Sequence, residues 1–195
     1  MKQLLASFFL LVTGFVSAVE TQHFDILLFG DKIGSMTVNH EIKPDGTETF
    51  NFESGSRAKI LWIVRDNYSH YEMVFKNGKL LSGSYTEKEQ GKLSRWGKIL
   101  WDGTKYNVEN YSGKKSFTEN PVYTISSIYF GDMRNAKRIY YDAEAEFVSV
   151  EHPDENTIEF KTSDGHRNVY HFVNGKIQSM EFHVSIATVR IVRVD

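Results

Sequence analysis

The chain contains no cysteine. That excludes a disulfide framework, a thiol nucleophile, a zinc ribbon, an iron–sulfur cluster and a lipid-bearing N-terminal cysteine. Only 3 of its 195 residues are proline, and no Ser/Pro/Gly-rich stretch or charge block interrupts it, so no linker divides it. Neither sign of charge is in excess: 23 Lys and Arg stand against 25 Asp and Glu, for a net charge of -2. Without a positive surplus to neutralise a phosphate backbone, nucleic acid is excluded as the expected partner. Long hydrophobic runs are also scarce. The one at the N-terminus, Leu4–Val16, falls short of the roughly 20 residues that cross a bilayer.

That run follows Met1-Lys2-Gln3 and precedes Ser17-Ala18, with Val16 and Ala18 at the two small positions of a cleavage site. The pattern predicts a signal peptide over residues 1–18 and a single β-rich domain over 19–195. A signal of this form on a cysteine-free body predicts a secreted protein of the bacterial periplasm or exterior that does not span the membrane.

What the chain has in quantity is alternation. Phe24, Ile26 and Leu28 share one parity while His23 and Asp25 take the other; Met36, Val38, His40 and Ile42 repeat the period, as do Phe50 and Phe52. Period 2 buries one face and wets the other, as in antiparallel strands. Turn signals recur at Gly30-Asp31, Pro44-Asp45-Gly46, Asn77-Gly78, Asp102-Gly103, Ser112-Gly113, Asp164-Gly165 and Asn174-Gly175. Such pairs accept the positive φ of tight hairpins. Their spacing predicts ten to twelve long strands in a meander. Towards the C-terminus these are Glu146–Glu151, Thr157–Lys161, Asn168–Val173, Ile177–Val184 and Thr188–Val194. Around Pro121 the rhythm breaks. Thr124 can cap a short helix there, with Ile125, Ile128 and Tyr129 on one face. The expected fold is mainly β: a strongly curved antiparallel sheet or open barrel, with one short helix near Thr124–Phe130 across the concave face.

The opening pattern of Phe24, Ile26, Gly30, Ile33-Gly34, Met36 and Val38, with the later Asn77-Gly78-Lys79 hairpin, resembles that of uncharacterised bacterial secreted β-rich families, domains of unknown function. The resemblance covers most of Thr21–Asp195. It implies a half-barrel similar in shape to lipoprotein carriers, and it carries no catalytic residue across.

Chemistry-bearing motifs are sparse. The seven histidines form no HExxH and no i, i+2 pair, so no metal site is expected. His171 and His183 flank one hairpin and can meet only if the register brings them together. There is no Gly-x-Ser-x-Gly elbow, Walker loop or dinucleotide fingerprint, and hence no expected catalytic residue or cofactor. Ser54-Gly55-Ser56 and Ser82-Gly83-Ser84 read as bulges or loop ends. Glu144 and Glu146 read as a solvated acidic edge. Lys88, Lys92, Arg95 and Lys98 gather with Trp96 and Trp101, either as a charged hairpin edge or as a patch for a membrane surface or an anionic ligand.

Aromatics are the compositional excess, at 14% of residues. Packing of the sheet uses most of them. The remainder suggests an apolar groove. The expected function is that of an exported, non-enzymatic envelope protein binding an apolar ligand such as lipid on its concave face, through Phe50, Phe52, Trp62 and Trp101. The alternatives are a hydrolase of envelope glycans or lipids and a structural subunit of an envelope assembly.

Overall fold

The computed structural model describes residues 17–60, 62–131, 133, 135–184 and 187–195. Apart from Ser17 and Ala18, the expected signal peptide lies outside the described residues, as do Ser185 and Ile186 of the last expected turn.

Eight strands follow one another as hairpins. They are β1 (Ala18–Leu28), β2 (Asp31–Ile42), β3 (Thr47–Ile60), β4 (Ile63–Lys76), β5 (Lys79–Glu89), β6 (Lys92–Trp101), β7 (Tyr106–Asn110) and β8 (Gly113–Phe117). The C-terminal run adds β11 (Glu151–Asp154), β12 (Thr157–Lys161), β13 (Arg167–Val173), β14 (Lys176–Val184) and β15 (Ala187–Arg193). All pair antiparallel with their neighbours. β15 closes on β1, Ile26 opposite Ile191, so the two meanders join into one 13-stranded sheet with β11 and β8 at its edges. The sheet is not closed. The expected mainly β, strongly curved antiparallel meander is the observed fold, with one more strand in the sheet than expected.

Period-2 alternation sets the inward face. Phe24, Ile26 and Leu28 are buried, and so are Met36, Val38 and Phe50. Cross-strand rows carry the pattern sideways: Phe52 faces Tyr71, Tyr71 faces Tyr85, and Tyr85 faces Gly97. Gly97 is required there because an added Cβ would run into the Tyr85 ring. Gly83 lies under the Met73 side chain in the same way. The Ser-Gly-Ser segments are therefore neither bulges nor loop ends. They sit within β3 and β5 in regular register, and Gly83 leaves room for a neighbour crossing above it.

Residues 118–150 leave the sheet and run across its concave face as a strap. It contains the short pair β9 (Arg138–Tyr141) and β10 (Glu146–Ser149). The expected helix proves to be a single 3-10 turn, Ser127–Tyr129. The Thr124 hydroxyl accepts the Ser127 N–H at 3.1 Å, and the Ser127 hydroxyl accepts the Thr124 N–H at 2.9 Å. The β-branched Val122, Ile125 and Ile128 hold helix propensity low, and the turn goes no further. Glu146–Glu151, expected as one strand, divides at Val150, whose N–H bonds the Lys137 carbonyl at 3.0 Å. Its first part belongs to the strap and its second to the sheet edge.

The main core lies between strap and sheet. Ile128, Tyr129, Met133, Ala136 and Ile139 pack on Phe24, Met36, Phe160, Tyr170 and Met180. An irregular backbone buried against a sheet must still satisfy its polar groups. Side chains from the sheet do this: Gln22 donates to the Tyr129 carbonyl at 3.0 Å, Tyr85 to the Ala143 carbonyl at 2.7 Å and Lys115 to the Glu144 carbonyl at 3.0 Å.

Candidate functional site

The strap decides what the concave face can offer. Phe50 stacks on His40, with centroids 4.3 Å apart, and meets Phe75 edge-on, while Phe130 of the strap covers it at 6.0 Å. Phe52 packs edge-on against Tyr71 and lies 6.1 Å from Tyr129 of the strap. Trp101 packs on Tyr106, and the Lys79 ammonium sits 3.4 Å from its ring centre. Trp62 stands at the β3–β4 turn, 81% exposed. Phe50 and Phe52 both lie beneath the strap but pack into different clusters; Trp101 packs against the cluster that holds Phe50, and Trp62 stands exposed at its turn.

The strap does not fill the whole concavity. Towards β11–β13 an opening of about 510 Å³ remains. Its floor is Met133 and Ile158, both almost wholly buried, with the half-buried Phe172 beside them. His152, Glu155, Asn156, Thr157 and Asn174 form its polar wall. His152 Nε2 lies 2.7 Å from the Ala136 carbonyl, which fixes the proton on that nitrogen. The Thr157 hydroxyl donates to Asp154 at 2.9 Å. The volume falls within the range of small-molecule sites, and the lining is more polar than theirs usually is. The sequence hid these residues because Met133 belongs to the strap and only the tertiary fold sets it beside Ile158 and Phe172. One signal did exist. Gln22 shares the inward parity of Phe24, a polar residue at a buried position, and its side chain serves the Tyr129 carbonyl.

Ionisable groups on the inner face fall into two sets. The Tyr71 hydroxyl donates to Glu87, which also accepts the Arg95 guanidinium at 2.6 Å. Burial pushes the Tyr71 phenol well above its usual range, and the charge on Glu87 adds to the effect. Arg95 is therefore bound to the sheet's inner face and does not join Lys88, Lys92 and Lys98 in an outward patch. Trp96 and Trp101 likewise take opposite faces of β6. The second set is Asp142 on the strap. It is buried, and neither carboxyl oxygen has a hydrogen-bond partner among the described residues. Burial raises its pKa well above the ordinary carboxylate value. It adjoins a void of about 10 Å³ beside Tyr85, Gly97, Ile99 and Tyr140, with no histidine in the lining. Such a void holds one water at most.

Glu144 and Glu146 are half-buried. Burial and then the neighbouring Glu144 raise the Glu146 pKa, so the pair is not the solvated edge expected. The register sets Ser179 opposite His171 and Arg167 opposite His183, so those two histidines do not meet across their hairpin. Among the described residues, no group of three or more His, Asp or Glu could hold a metal ion. No helix among them is long and apolar enough to cross a membrane.

A family described as a domain of unknown function (DUF6134) matches residues 24–194. No curated protein matches the chain. Among solved structures the chain is similar to a β-barrel-like protein of domain of unknown function DUF1849 from Brucella abortus. The TM-score is 0.58 at 13% identity, over 90% of this chain and 95% of that one. At that identity the likeness is one of fold.

Proposed function

For a chain that belongs to the DUF6134 family, we propose the role of an exported, non-enzymatic envelope protein that holds an apolar or amphipathic small molecule, a lipid being the simplest case. The observation that carries the reading is the opening of about 510 Å³ between strap and β11–β13, with its Met133, Ile158 and Phe172 base and polar wall. Phe172 is the apolar part of a lining that is otherwise mostly polar, which suits an amphipathic ligand. The strap adds support: it occupies the concavity above Phe50 and Phe52, so a ligand enters beside it.

The test is native mass spectrometry of protein recovered from a bacterial envelope fraction, beside an Asn156→Trp variant that crowds the opening from its exposed wall. The expected result is a co-purified molecule on the wild type that organic solvent extracts and that the variant lacks. A wild type that carries nothing, and takes up no long-chain fatty acid or phospholipid when these are offered, overturns the reading. Intact mass of the same sample tests export, with loss of residues 1–18 expected.

A further inference from the structure

The turns of β1–β2, β3–β4, β5–β6 and β7–β8 lie at one end of the sheet, because consecutive antiparallel strands return every second turn to the same rim. The three exposed aromatic residues among those described, Phe29, Trp62 and Tyr111, all lie in these turns. The β3–β4 hairpin reaches furthest. Its last rung shared with β2 is Ser56 opposite Gly34, and its last with β5 is Asn67 opposite Glu89. Beyond them Arg57–Ile60 pairs only with Ile63–Asp66. Four further rungs make a finger roughly 13 Å long. Gln90 steadies its base, donating from its backbone to the Asp66 carbonyl at 2.8 Å and from its side chain to the Val64 carbonyl.

The finger's composition does not serve the fold. Ile60-Leu61-Trp62-Ile63-Val64 is apolar at both parities in sequence, and Trp62 at its centre is 81% exposed, because a projecting two-stranded ribbon offers it no core. A protective edge would place charge at the tip and apolar groups behind it; here the order is reversed. Next to the finger, Phe29 is 75% exposed at φ 54°, a conformation that a bulky side chain seldom adopts. Charge follows the same rim. Residues 28–33, 57–66, 87–95 and 109–115 carry nine Lys and Arg against five Asp and Glu, in a chain whose acids outnumber its bases. Lys59 and Arg65 are exposed on either side of Trp62.

We propose that the β3–β4 finger docks the protein onto an anionic lipid bilayer, with Trp62 at the headgroup–acyl boundary and Lys59 and Arg65 against the phosphates. Trp is favoured at that depth and flanking cations reach the headgroups. The same cations argue against a second copy as occupant, because two fingers meeting tip to tip would bring like charges together.

The experiment is co-sedimentation of the full chain with vesicles of phosphatidylcholine, with and without about 30 mol % phosphatidylglycerol. The variants are Trp62→Ser and the double change Lys59→Glu/Arg65→Glu, with circular dichroism confirming that each folds. Wild type is expected to sediment with the anionic vesicles. Its partition should fall about tenfold for Trp62→Ser and about 30-fold or more for the double variant. Equal partition of wild type and Trp62→Ser, or no sedimentation of folded wild type, overturns the proposal. So does a dimer in solution that Trp62→Ser converts to monomer without any vesicle binding. The Asn156→Trp variant should partition like wild type, which separates this surface from the ligand opening.

Discussion

The strap and the finger both carry large aromatic side chains, and they place them in opposite environments. Tyr129, Ile128 and Tyr140 of the strap are almost wholly buried, packed against residues of β1, β2 and β8. Trp62 of the finger is almost wholly exposed. The strap has irregular backbone and depends on side chains of the sheet to satisfy its carbonyls. The finger satisfies most of its backbone by ladder pairing, with Gln90 serving the carbonyls at its base. Burial therefore makes the strap part of folding stability, whereas the finger is free to be shaped by contact with something outside the chain.

That contrast can be broken most forcefully at Tyr129. Truncation to alanine removes the ring that meets Phe24 edge-on at 5.7 Å, and it should cost about 3–5 kcal/mol, read as a lower urea midpoint. A smaller effect is expected at Gly97. Alanine there forces the Tyr85 ring aside, at about 1–3 kcal/mol for overpacking, with a matching fall in melting temperature.

Asp142 sharpens the comparison through pH. Its folded pKa is raised, so between the ordinary carboxylate value and that raised value the folded state binds the extra proton. Stability then falls as pH rises through this window, and the penalty is absent below it. Asp142→Asn should flatten that slope, stabilising the protein more at pH 8 than at pH 4. Denaturation midpoints measured at both pH values check this, and equal gains at the two would contradict it. The smallest effect on stability is expected at Trp62. Serine there should change unfolding free energy by less than about 0.5 kcal/mol while abolishing most vesicle binding. A large loss of stability would show that the finger is packed after all.

Much of the fold was legible because its signals are local. The alternation at Phe24, Ile26 and Leu28 and the Asn-Gly and Asp-Gly turns need no distant partner to be read. The strap was legible only as an interruption. Its 3-10 turn, its paired β9 and β10 and the division at Val150 come from contacts with the concave face, which no periodicity announces. The four aromatics expected to line one site illustrate the limit. Phe50, Phe52 and Trp101 all take the inward parity of their strands, yet Phe50 shares a cluster with Trp101 and not with Phe52. Trp62 belongs to a turn, where the period of 2 no longer dictates direction.

The sequence by itself determined the class of fold, the long antiparallel strands, the positions of the turns and the inward face of β1–β3, because side-chain parity and turn chemistry act within a few residues. Tertiary structure alone decided that β15 closes on β1, that residues 118–150 cover Phe50 and Phe52, that Asp142 is buried without a partner, and that an opening survives beside Met133, Ile158 and Phe172. Those outcomes depend on how a curved sheet wider than its own side chains can fill recruits a distant segment, and on where that segment falls short.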